Sequence, residues 1–169
     1  MLFRSDDGVS VNDSTAEKAQ ILTILESARQ SLSRMFADVT DEQARATPTA
    51  SALCLGGILK HVTYGETIWI DFVVEGEKVD DLDRYAASFR MEPGETVTSL
   101  LDHYTATAKR TEEVITALPD LDTAHRLPEA PWYPPDTAWS AREVLLHLLQ
   151  ETAQHTGHAD ILKESLPDT

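Results

Sequence analysis

What this 169-residue sequence lacks narrows its function first. It has one cysteine, Cys54, so an intramolecular disulfide is excluded. Basic residues are few: 14 Lys+Arg stand against 29 Asp+Glu, for a net charge of −15 and a pI near 4.6. A field of that sign repels phosphates, which argues against nucleic-acid or anionic-membrane partners, though not against one local basic pocket. No apolar run is long enough to span a bilayer. The opening stretch MLFRSDDGVSVNDS lacks the apolar core of a signal peptide, so a cytoplasmic protein is expected. Repeats and low-complexity tracts are missing, and no segment alternates like a strand over a useful length.

What is present is helical patterning. The hydrophobic content of 41% is ordinary for a globular chain, and the length suits one domain over residues 1–169. Four segments carry apolar residues in steps of three and four. The first, about 15–37, uses Ile21, Leu25, Ala28, Leu32 and Met35, with Ser14-Thr15-Ala16-Glu17 reading as a capping box. The second, about 52–75 with Ser51 as its expected N-cap, carries Cys54, Ile58, His61, Gly65, Ile68 and Phe72 on one seam. Leu55, Leu59, Val62, Trp69 and Val73 form a neighbouring seam, so this helix should be the most buried. The third, about 96–118, uses Val97, Leu101, Tyr104, Ala108, Thr111, Ile115 and Leu118. The fourth, about 140–165, opens on the capping box Ser140-Ala141-Arg142-Glu143 and continues through Val144, Leu148, Glu151, His155, His158 and Leu162. An all-α four-helix bundle follows. Connections 37–50, 76–94 and 119–139 exceed what antiparallel neighbours need, so at least one crossover is expected. The last, with Trp132, Tyr133 and Trp139, is either a stiff packed connection or a wall over a site.

The polar residues on these seams are the anomaly, since buried carboxylates and imidazoles need partners. Glu151 and His155 lie one helical turn apart, with Cα atoms roughly 6 Å from each other. A carboxylate oxygen and an imidazole nitrogen at that spacing can reach one metal ion. His61, between Ile58 and Gly65, offers a third donor if the second and fourth helices face each other. The alternatives stand beside this: His61 satisfied by a hydrogen bond, and Glu151 paired with His155. His158 suits a contact that orients a metal ligand, a fourth ligand, a base or a substrate contact. His147 falls on a polar stripe and reads as solvated, and nothing recruits His103 or His125.

The stretches LGGILKHVTYGETIWIDFVVEG and WSAREVLLHLLQETAQHTGHADILKESL resemble the DinB-like superfamily, in particular its mini-circle-protein-like actinobacterial branch. The resemblance runs from the first helix to the last and implies a four-helix bundle with a three-ligand divalent metal site. Carried over, the ligands are His61, Glu151 and His155. Glu151 departs from the all-histidine version and matches the related mycothiol-dependent maleylpyruvate isomerases. Relatives use the metal to ionise mycothiol or bacillithiol, which implies thiol and electrophile as partners and a homodimer as assembly. Zn²⁺, Ni²⁺, Fe²⁺ and Mn²⁺ all suit the ligand set.

Three readings follow, and whether the chain is catalytic at all stays open among them. The first is a thiol S-transferase or isomerase acting on small electrophiles. The second is a metal hydrolase with bound water as nucleophile and His158 as base. The third is a non-catalytic, metal-binding dimeric bundle. A thiol cofactor bearing sugar and carboxyl or amide groups would want polar and cationic contacts, with Arg142, Lys60, Arg110 and Arg90 available and Tyr64 or Tyr104 to assist proton transfer.

Overall fold

The structure is a computed structural model that describes residues 11–76, 81–129 and 133–167. Four long helices dominate it: α1 (Val11–Arg34), α3 (Leu55–Glu75), α5 (Val97–Ala117) and α6 (Ala141–Glu164). Short elements occupy each of the three connections. These are α2 (Asp41–Arg45), α4 (Leu82–Ser88), and the strands β1 (Ala124–Arg126) and β2 (Ala138–Ser140). The strands pair antiparallel, with His125 opposite Trp139.

Helix α1 packs against α6 and α5, and α3 packs against α5 and α6. Helices α1 and α3 therefore stand diagonally, as do α5 and α6. The first and last long connections cross the bundle ends, which explains their length. Helix α3 is the most deeply buried, with twelve residues withdrawn from solvent.

Capping shows where local signals won and lost. The Ser140 box forms as expected: its hydroxyl accepts from the Glu143 amide, and the Glu143 carboxylate accepts from the Ser140 amide at 2.8 Å. Ser14 does not cap α1, which has already begun at Val11; its hydroxyl donates instead to the Pro119 carbonyl. Nor does Ser51 cap α3. It sits in a turn with Thr49, 3.0 Å between hydroxyls, and the helix starts where Cys54 enters the core. The Cys54 sulfur accepts from the Gly57 amide at 3.3 Å, so the lone cysteine is a buried N-cap.

The core divides in two. One apolar cluster gathers Leu32, Leu55, Ile58, Leu59, Leu100 and Leu162, and the other Leu25, Trp69, Phe72, Ile115, Val144 and Leu148. Between them lies a buried polar waist of Arg29, His61, Glu66, Thr111, Thr152 and His155. Arg29 of α1 donates across the bundle axis to the Glu66 carboxylate of α3, with a 3.3 Å bond from Nε. Thr111 of α5 donates to the same carboxylate at 2.6 Å. A buried carboxylate without such partners would cost several kcal/mol.

Candidate metal centre and cavity

His61, Glu151 and His155 converge at this waist. One donor atom from each lies within 4.8 Å of the other two. The His61 and His155 rings meet edge to face at 5.0 Å, and His155 Nε2 stands 3.7 Å from a Glu151 oxygen. His61 and Glu151 line a cavity of about 540 Å³, while His155 is buried and is not among its lining residues.

The surroundings of His61 prepare it as a donor. Ser88, in the last turn of α4, has one hydroxyl proton, and the Tyr85 carbonyl at 2.6 Å can only accept it. The 2.9 Å bond between Ser88 Oγ and His61 Nδ1 is then donated by the imidazole. That places the ring proton on Nδ1 and leaves the Nε2 lone pair for another partner. Phe89 stacks on the ring at 3.7 Å and Tyr85 meets it edge-on at 5.2 Å. Burial, with His155 adding to it, pushes the His61 pKa down to about 4, so the imidazole is neutral at neutral pH.

Glu151 is held ionised. The His155 imidazole lowers its pKa against the opposing effect of burial, with His147 and His61 acting the same way. His158 meets His155 through facing Nδ1 atoms 3.4 Å apart. That contact engages His155 Nδ1 and leaves its Nε2 facing Glu151. Two imidazoles and one carboxylate, with a donor atom of each this close to the other two, suit a divalent cation.

Sequence reasoning missed Ser88, Tyr85 and Phe89, all within the 76–94 connection. The available signal was the Gly56-Gly57 pair opening an otherwise apolar helix. A Cβ on Gly57 would lie 2.0 Å from the Phe89 carbonyl oxygen, so glycine there lets the α4 segment close onto α3. His147 also departs from expectation. It is half-buried, lines the cavity and packs edge-on to Trp69 at 5.0 Å and against Trp139 at 5.2 Å. Those two rings cover a stripe that composition alone assigns to solvent.

The candidate polar contacts sort clearly. Tyr64 lines the cavity, whereas Tyr104 is buried in the core, where burial raises its pKa and makes it a poor acid. Arg142 is engaged by Glu17 and Asp122, Lys60 by Glu95, and Arg110 by Asp71; none of these cations, nor Arg90, lines the cavity. The 119–139 connection is both packed and a wall: Leu121 and Leu127 are buried, while Glu129 and Tyr133 line the cavity. Trp132 lies outside the described residues.

Residues 20–167 match the family described as mycothiol-S-transferase. The chain belongs to that family. It is a DinB-like family, in agreement with the resemblance in the second and fourth long helices. Among solved structures, the chain is similar to a conserved protein from Enterococcus faecalis, with a TM-score of 0.66 and 12% identity. The match covers 88% of this chain and 95% of that one, and at this identity it speaks for the fold alone. No curated protein matches the sequence. No helix among the described residues is long and apolar enough to cross a membrane.

Proposed function

We propose that this chain is a divalent-metal-dependent S-transferase, with a low-molecular-weight thiol of the mycothiol type as sulfur donor and a small electrophile as acceptor. The observation that carries this reading is the convergence of His61, Glu151 and His155 on one point at the cavity, in a chain of this family. These three residues are the ligands in this reading. A cation bound there would lower the pKa of a thiol and so supply a nucleophile at neutral pH. The protein's own part is to hold the His61 imidazole neutral, keep Glu151 ionised and shelter the reacting atoms in the cavity. In the transfer the thiol gives up its proton, sulfur bonds to the acceptor carbon, and the leaving group departs with its electron pair. A thiol-assisted isomerisation would use the same site. We further read residues 1–169 as one domain, working in the cytoplasm as a homodimer.

Hydrolysis by an activated water needs a general base facing the cavity. His158, the candidate from sequence, contacts His155 instead and is not among the lining residues. Purified protein given mycothiol and a fluorogenic alkyl halide should show thiol-dependent turnover that chelation and Glu151→Gln each abolish. Turnover that persists without thiol would move the support to hydrolysis.

A further inference from the structure

The cavity has a second half, away from the donor trio, with a different character. Trp69, His147 and Tyr133 line it. Trp139 stands behind them, stacked on Trp69 at 4.8 Å with 21° between planes and met edge-on by Tyr133 at 5.8 Å. Four rings from α3, α6, β2 and the β1–β2 connection thus brace one another. A braced aromatic wall binds flat, apolar groups well, because little side-chain freedom is lost on contact. At the rim stand Asp81, half-buried, and Glu129, exposed; the Asp81 carboxylate also caps α4, accepting from the Arg84 amide at 2.9 Å. Glu66 is already paired with Arg29, and Glu151 belongs to the donor trio, so Asp81 and Glu129 are the negative charges a second ligand meets.

We propose that this half is the acceptor subsite, and that it takes a planar, unsaturated or aromatic electrophile that is neutral or positively charged. The proposal rests on the S-transferase reading and specifies its second substrate. His147 lies one helical turn from Glu151, roughly 6 Å along α6. A ring resting on the Trp69–His147 wall therefore directs its substituent toward the donor trio. A volume of about 540 Å³ falls in the range of small-molecule sites and leaves room for a thiol beside a bicyclic ring. Negatively charged acceptors, dicarboxylic acids among them, would meet repulsion at the rim.

The test is a binding titration without thiol, read by tryptophan fluorescence. Three unreactive probes share one ring: 1-naphthalenemethanol, (1-naphthylmethyl)trimethylammonium and 1-naphthalenemethanesulfonate. The alcohol and the ammonium should quench and saturate, with the sulfonate weaker by about tenfold or more. Tyr133→Ala, at a half-buried position, should weaken the alcohol about fivefold, and Glu129→Gln should narrow the gap to the sulfonate. Trp69→Phe gives a second, conservative check on the wall. Equal binding of all three probes overturns the charge selectivity. Binding unchanged in both wall variants, or no binding at all, overturns the subsite. Because no thiol is present, probe binding without S-transfer would count against the transferase reading alone. S-transfer without probe selectivity would count against the subsite alone.

Discussion

Ser88 governs His61 through one proton. With its hydroxyl committed to the Tyr85 carbonyl, it fixes the imidazole tautomer and turns Nε2 outward. Removing that acceptor frees the ring without touching a ligand. Ser88→Ala should lower divalent-metal affinity by about 10- to 100-fold, measured by competition with a chromophoric chelator. His61 also ties stability to pH. Its pKa falls from 6.5 to about 4 on folding, so between those values the unfolded chain binds a proton that the fold refuses. Stability from this group is full above pH 6.5 and drains away as pH falls toward 4. In denaturant titrations of metal-free protein it should cost about 2 kcal/mol between pH 7 and pH 5. His61→Gln should flatten that part of the profile. The cluster of His61, Glu151 and His155 could be anticipated in the sequence because each interrupts an apolar seam. Ser88 was not, because a serine in a long connection carries no periodic mark of what it touches.

Among the elements, α4 depends on a glycine in α3. Alanine at position 57 would drive its Cβ into the Phe89 carbonyl, a backbone atom with nowhere to go. Gly57→Ala should therefore destabilise the fold by about 2 kcal/mol or more and weaken metal binding as Ser88 and Phe89 shift. Gly65 is the control: its Cβ would meet nothing within 4 Å. Gly65→Ala should stabilise by up to about 1 kcal/mol through helix propensity, as thermal melts would show. The long helices were readable from their three- and four-residue steps, since burial along one face imposes that period. Helices α2 and α4 and the strand pair were not, because five, seven and three residues are too short to establish a period. The α1 start moved from Ser14, whose hydroxyl goes to the Pro119 carbonyl, and the α3 start moved from Ser51 because Cys54, buried in the core, caps the helix instead.

At the scale of the molecule, the polar waist separates two apolar clusters and holds both a structural ion pair and the candidate centre. Arg29, Glu66 and Thr111 link α1, α3 and α5 across the bundle axis. Arg29→Met leaves the Glu66 carboxylate buried without its cation and should cost about 3–5 kcal/mol in denaturant unfolding. Adding Glu66→Leu should recover most of that loss. The sequence placed His61 and Glu151 on the apolar seams of two helices but gave no sign of Arg29 as the partner of Glu66, a pairing that only diagonal packing creates. In the proposed function the waist holds a divalent cation through His61, Glu151 and His155. Metal content by mass spectrometry on untagged protein measures that occupancy. One metal per chain is expected in the wild type and in His158→Ala, and none in His61→Ala. A wild-type protein that carries no metal and takes none up on reconstitution would contradict it.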